Sequence, residues 1–158
     1  MILTADLCDA HEADIAIALP VFREYGNVKG FHGRVVTLRL HEDNLLLRQT
    51  IEKPGEGRVV VIDGGGSLRR ALIGGNLATL AHKNGWAGLV FNGLVRDVAE
   101  LAEVPMGIRA LGSTPLRPRS EGYGERDVPV QLPGVVVRPG DYLYADEDGM
   151  IVSSRELA

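Results

Sequence analysis

Apolar residues follow two rhythms along this chain. From Val35 to Leu40 they alternate around Val36, Leu38 and Leu40, the period of a half-buried strand. Arg58 to Asp63 (RVVVID) is apolar on both faces, which predicts a central strand covered from both sides. Ala87 to Phe91 and Ile108 to Leu111 read as further strands. Helical spacing lies between them. Leu46, Leu47 and Ile51 share a helix capped by Asp43 or Asn44 and running to about Lys53, where Pro54-Gly55 ends it. Gly74-Gly75 opens a second helix, with Leu77, Leu80 and Ala81 inward and Gly85 as its stop. Asp97 to Glu103 predicts a short third helix, and Leu68 to Leu72 another helical stretch. Near the N-terminus, Thr4 can cap a helix carrying Leu7, Cys8 and Ala10, and from there to about Gly33 no period holds. The last third reads as short strands at Val128–Leu132, Val135–Val137, Tyr142–Ala145 and Met150–Ser153, with Asp146-Glu147-Asp148-Gly149 as the final hairpin turn. This order predicts one α/β domain over residues 1–158 with a mixed layer arrangement, without internal repeat or linker.

Composition adds three limits. A chain of 158 residues buries about 70% of its unfolded surface, enough for a core without staples. Net charge is -4, and the densest basic set (Arg109, Arg117, Arg119, Arg126) is interrupted by Pro115, Pro118, Glu121 and Glu125. Nucleic-acid binders carry a basic face, so direct contact with RNA or DNA is not expected. The single cysteine, Cys8, forbids an internal disulfide and suits a reducing, cytoplasmic setting, where it reads as a small core hydrophobe. No apolar stretch approaches the roughly 18 residues of a membrane span, and no basic-then-apolar leader opens the chain.

Several chemistries fail on residue type. The three lysines (Lys29, Lys53, Lys83) lie in polar or turn contexts, not the buried setting a Schiff base needs. The four histidines are scattered without metal-ligand spacing. Asp63-Gly64-Gly65-Gly66-Ser67 follows a strand, yet it completes neither G-x-G-x-x-G nor a P-loop, so a tight turn explains it better than a nucleotide or methyl donor. Nor does the chain offer G-x-S-x-G at this turn. Two features survive. Gly74-Gly75-Asn76-Leu77 opens a helix, where free N–H groups and the dipole suit an anion, though a plain N-cap turn would look the same. Val95-Arg96-Asp97-Val98-Ala99-Glu100 follows a buried strand, where α/β folds carry function. Arginine grips carboxylates with paired hydrogen bonds, and aspartate suits Mg²⁺ or Mn²⁺. Asp97 and Glu100 share a helix face at a separation of three, and a surface Arg–Asp pair remains the structural alternative.

The stretches Arg58–Ala71 (RVVVIDGGGSLRRA), Gly74–Ala81 and Gly88–Glu100 (GLVFNGLVRDVAE), with Leu7-Cys8-Asp9, Glu42-Asp43-Asn44, Gly122–Val128 and Pro139-Gly140-Asp141, resemble one superfamily. It comprises the regulators of ribonuclease E activity A and the 4-hydroxy-4-methyl-2-oxoglutarate aldolases. That resemblance implies a swivelling β/β/α domain and a homotrimer with sites near subunit contacts. It implies that backbone amides of Gly74, Gly75, Asn76 and Leu77 hold a pyruvate-like carboxylate. Arg96 would bind the substrate and steady its enolate, and Asp97 would ligate a divalent metal, Mg²⁺ or Mn²⁺. Twenty residues separate Gly75 from Arg96, and Glu100 fills the last place of Arg-Asp-x-x-Glu, as in the aldolase signature. The implied reaction is metal-dependent cleavage of 4-hydroxy-4-methyl-2-oxoglutarate to two pyruvates, with oxaloacetate decarboxylation through the same enolate. The alternative implied is a non-catalytic inhibitor of ribonuclease E that contacts the protein rather than RNA.

Overall fold

The computed structural model describes residues 1–158. Four parallel strands form its centre, in the order Phe31–Leu40, Val59–Asp63, Gly88–Asn92, Gly107–Ala110. Antiparallel strands extend this sheet. Tyr142–Asp146, Gly149–Ser153 and Ile15–Ile17 continue it beyond Phe31–Leu40, and Arg23–Glu24 closes the other edge. Gly124–Arg126 pairs with the far half of Phe31–Leu40.

Residues alternate between the faces of a strand, so the apolar run at Val59–Asp63 feeds two cores. Val60 and Ile62 join Leu38, Leu89, Phe91 and Ile108 in a cluster of 20 buried residues. Over that face lie helices α2 (Leu45–Ile51), α3 (Gly75–Lys83) and α4 (Val98–Leu101). Val59 and Val61 join Val35 and Val90 in a second cluster of 14, closed by the hairpin of Val130–Leu132 and Val135–Val137. The layers are therefore hairpin, sheet and helices, the β/β/α arrangement expected. Each large apolar side chain so buried contributes about 1.5–3 kcal/mol, and neither cluster closes without the central strands.

The first helix, α1 (Thr4–His11), stands apart from these layers, and there the expected local cap is corrected. Leu3 holds the capping position. Thr4 is helical, and its hydroxyl and N–H both donate to Asp146, at 2.7 and 2.8 Å. Burial pushes the Asp146 pKa up, but the bonds from Thr4 together with the Asp148 and Gly149 amides outweigh it and hold the pKa below the ordinary value. Other boundaries move for similar reasons. The strand predicted from Val35 begins at Phe31, because Tyr142–Asp146 pairs along its first half. No helix forms at Leu68–Leu72. The Ala71 and Leu72 N–H groups instead donate to Leu116 and Leu94 carbonyls across the chain, and Leu68 points outward at 68% exposure. Finally, α4 starts at Val98, one residue later than expected, with Asp97 outside it.

Candidate active site

Turns at the carboxyl ends of the parallel strands gather into one cleft of about 820 Å³. Its walls come from the start of α2 (Asn44, Arg48), Arg70, the start of α3 (Gly74, Asn76, Leu77), Arg96 with Asp97, and the loop Arg117–Glu121. Local backbone pairing sets the juxtaposition. Leu72 N–H donates to the Leu94 carbonyl at 2.8 Å, and Arg96 N–H to the Ile73 carbonyl at 2.9 Å, so the two turns run side by side.

At that corner Asp97 takes a left-handed backbone (φ 58°, ψ 46°), which aspartate tolerates better than most residues. The turn swings its carboxylate away from its own helix and toward α3. Asp97 Oδ2 accepts the Gly75 N–H at 3.0 Å, while Oδ1 has no donor in the chain. This explains the glycine pair. A Cβ at Gly74 would collide with Asp97 Oδ2, and one at Gly75 with Glu100 Oε2. The glycines thus admit two acidic side chains against the start of α3.

Asp97 also narrows what the turn can offer an anion. Gly75 is buried and its N–H is spent on Asp97. Asn76 and Leu77 keep first-turn N–H groups without an acceptor in the chain. Arg96 is half-buried and makes no ion pair with Asp97. It holds only a long bond to the Pro115 carbonyl (3.4 Å), and its Nε is buried without an acceptor. Its guanidinium is therefore free to grip a carboxylate at this corner. Of the predicted site residues, Gly74, Asn76, Leu77, Arg96 and Asp97 all line the cleft; Gly75 lies beneath it, and Glu100 beside Gly75.

Sequence reading missed the opposite wall, which carries Arg48, Arg70, Arg117 and Arg119. Glu42, Asp43 and Asn44 build it. The Arg119 N–H donates to the Glu42 carbonyl and the Asn44 N–H to the Arg119 carbonyl, at 2.8 and 3.0 Å. The Asp43 carboxylate accepts N–H groups of Leu45 (3.0 Å), Glu121 (2.6 Å) and Gly122 (3.1 Å). Burial raises the Asp43 pKa, yet these backbone donors outweigh burial and hold it below the usual carboxylate value. Glu42 is likewise lowered, chiefly by the Ser67 hydroxyl donating at 2.7 Å, helped by the charge of Arg69. No local signal marked this wall: Arg48, Arg70 and the Arg117–Arg119 pair lie on three separate segments, and Glu121 follows Arg117 by four residues.

The triple glycine plays no part in the cleft. Gly65 and Gly66 adopt positive φ (68° and 69°). Gly64 and Gly66 N–H groups donate to the Asn92 carbonyl, and Gly65 N–H to Asp63 Oδ1. All three amides are spent, which leaves no phosphate cradle, in line with the tight-turn reading. Arg109 is equally structural. It is 4% exposed and donates to the Lys29 and Asp146 carbonyls.

Donor chemistry at the Asp97 corner fits a hard divalent cation. One free carboxylate oxygen, with water and substrate filling the other positions, is how Mg²⁺ is commonly held. No group of three or more His, Cys, Asp or Glu side chains gathers to hold a fully protein-ligated metal. Five arginines line the same space, so a cation is best accommodated together with an anionic substrate.

The chain is similar to several known proteins. A protein of Paraburkholderia phytofirmans with the provisional name 4-hydroxy-4-methyl-2-oxoglutarate aldolase is 57% identical, over 98% of this chain and 97% of that protein. The solved structure of the RNA-processing inhibitor RraA from Thermus thermophilis superposes with a TM-score of 0.96 at 48% identity, covering 100% of this chain and 96% of the other. A Geobacillus kaustophilus structure described as an S-adenosylmethionine:2-dimethylmenaquinone methyltransferase also gives 0.96, at 40% identity, covering 99% and 97%. The RraA-like family model, Aldolase/RraA, matches residues 4–152. With nearly its whole length matched, the chain belongs to the RraA-like (Aldolase/RraA) family.

Proposed function

We propose that this protein is a divalent-metal-dependent lyase that cleaves 4-hydroxy-4-methyl-2-oxoglutarate into two pyruvates and decarboxylates oxaloacetate as a side reaction. The observation that carries the reading is the pairing of an arginine-lined cleft with one half-free carboxylate, Asp97, at its corner. The substrate is a dianion, and the five arginines supply the opposite charge. Asn76 and Leu77 N–H groups and the Arg96 guanidinium would hold the 2-oxo-acid end. Asp97 would hold Mg²⁺ or Mn²⁺, which when bound supplies Lewis acidity toward the 2-oxo oxygen. The C4 hydroxyl loses its proton, the C3–C4 bond breaks, and the bonding pair passes to the 2-oxo oxygen as a pyruvate enolate; a proton returns at C3. Arg96 meets that developing negative charge from a fixed position, so little reorganisation is needed when the charge forms. Asp97, tied to Gly75, is kept from swinging away between turnovers.

Pyruvate release, coupled to lactate dehydrogenase, tests this with both substrates in Mg²⁺ and again in excess chelator. Turnover abolished by the chelator and restored by added metal is expected; turnover indifferent to the chelator would overturn the metal assignment. We carry a homotrimer with the proposal. Leu68 and Leu116 are exposed beside Arg70 and Arg117, where a neighbouring subunit would cover the cleft rim. Analytical ultracentrifugation reads the mass directly.

The Thermus relative is described as an RNA-processing inhibitor, and as a second reading we propose that this chain inhibits a ribonuclease E-type enzyme by protein contact. Titrating the protein into a ribonuclease E cleavage assay tests it separately. An unchanged cleavage rate at saturating protein would remove it.

A further inference from the structure

The five arginines of the cleft are not equivalent. Arg48, Arg117 and Arg119 are exposed, and their side chains make no hydrogen bond or ion pair within the chain. Ordering each on a ligand costs side-chain entropy. Arg70 differs. Its side chain is 23% exposed and held at two points, with Nη1 donating to the Arg117 carbonyl at 2.9 Å and Nε lying 4.0 Å from Glu42 Oε1. Glu42 is itself fixed, its side chain 5% exposed and bonded to the Ser67 hydroxyl. Because Glu42 is shared with Arg69 at 3.4 Å, it orients Arg70 without cancelling the positive charge of the wall.

Position completes the argument. Arg70 precedes Ile73 by three residues, and the Ile73 carbonyl accepts the Arg96 N–H. Arg70 therefore lies at most about 11 Å from Ile73, the residue whose carbonyl is bonded to Arg96. Arg96 stands at the Asp97 corner and the held Arg70 lines the same cleft. A guanidinium held by one hydrogen bond and faced by one carboxylate presents its remaining N–H groups as a fork, the geometry that matches a carboxylate. Fixing it beforehand lowers the cost of binding.

We propose that Arg70 is the specificity-determining arginine of this cleft. It receives the far carboxylate of the substrate, so that five-carbon 2-oxo diacids are taken in preference to 2-oxo acids with uncharged tails. This assignment rests on the lyase reading for its substrate and on the geometry of Arg70 for its residue, and its test separates the two.

The test compares 4-hydroxy-4-methyl-2-oxoglutarate with 4-hydroxy-4-methyl-2-oxopentanoate, which carries a methyl where the diacid has its far carboxylate and cleaves to pyruvate and acetone. In Arg70→Ala the ratio of kcat/KM for diacid over monoacid falls roughly 10- to 100-fold, mainly through KM. Arg70→Lys retains an intermediate ratio, since it keeps the charge and loses the fork. Arg96→Ala lowers both substrates together and leaves the ratio near that of the wild type. A parallel calorimetric titration uses 2-oxoglutarate and 2-oxopentanoate and needs no turnover. The wild type binds the diacid more tightly, and Arg70→Ala removes that preference. If the wild type turns over neither substrate but Arg70→Ala still abolishes the diacid preference, the lyase reading fails and the Arg70 assignment stands. An unaltered diacid preference in a folded Arg70→Ala protein, by either readout, overturns the assignment.

Discussion

Two acidic segments of this molecule share a local geometry and are put to opposite uses. Glu42 and Asp97 both adopt left-handed backbones, with φ of 55° and 58°. Glu42 and Asp43 are buried at 4% and 1% exposure, and their carboxylates are consumed by Ser67, by the Glu121 and Gly122 amides, and by nearby arginines. Asp97 is exposed, gives one oxygen to Gly75 and keeps the other. The first segment holds up a wall; the second opens into the space the wall encloses. A carboxylate at a strand's end is therefore informative about function only once its unspent acceptors are counted. That count separates Asp97 from Asp43 although both belong to motifs of the same family.

The contrast breaks most visibly under substitution of Asp97. Asp97→Ala is expected to lower metal-dependent pyruvate release by about 100-fold or more, the scale of losing a group that fixes transition-state charge. Its stability in urea falls by about 1 kcal/mol, since the Gly75 N–H alone loses its acceptor. Asp43→Ala should reverse the pattern. Three backbone N–H groups lose their acceptor, which costs about 2–3 kcal/mol in urea unfolding. Activity then falls through a higher KM as the Arg117–Glu121 loop loosens.

Acid titration gives a smaller and graded effect. The pKa values of Glu42, Asp43 and Asp146 are all lowered in the folded protein. A depressed folded pKa means that the unfolded chain takes up protons first as pH falls. The stability these groups contribute is complete above their unfolded values, about 4, and drains away as pH drops through the lower folded values. Melting temperature is thus expected to be flat from pH 7 to about 5 and to fall below about 4, and Asp43→Asn should flatten that fall. Smallest of all is the exposed pair Arg39–Glu125, bonded at 2.7 Å with both side chains at least half exposed. Neutralising Glu125 should change stability by no more than about 0.5 kcal/mol, which shows that the Asp43 effect comes from burial and not from charge alone.

The central strands, the helix starts and the strand-end position of Arg96 and Asp97 were legible in the sequence because period and punctuation are local, whereas the β/β/α layering came from the family resemblance. Val59–Asp63 had to be central, since both its faces are apolar. Gly74-Gly75 had to begin a helix, and Arg96 and Asp97 had to follow a strand. What was not legible came from contacts across long sequence separation. Thr4 meets Asp146 over 142 residues. Asp43 meets Glu121 over 78 residues. The helix expected at Leu68–Leu72 is lost to carbonyls of Leu94 and Leu116. The arginine wall was invisible for the same reason: Arg48, Arg70 and Arg117 lie on three separate segments, and only the folded Glu42-Asp43-Asn44 turn brings them together. The fold and family follow from periodicity and motif, whereas the charge of the cleft is a tertiary property.

The central claim is that Asp97, and not the better-buried acids, is where a divalent cation meets the substrate. Mn²⁺ binding followed by electron paramagnetic resonance, with oxalate standing in for the pyruvate enolate, tests it most directly. In the wild-type protein oxalate should tighten Mn²⁺ binding and alter its spectrum, and Asp97→Asn should abolish both effects. The same oxalate-dependent spectrum and affinity in Asp97→Asn would contradict the claim.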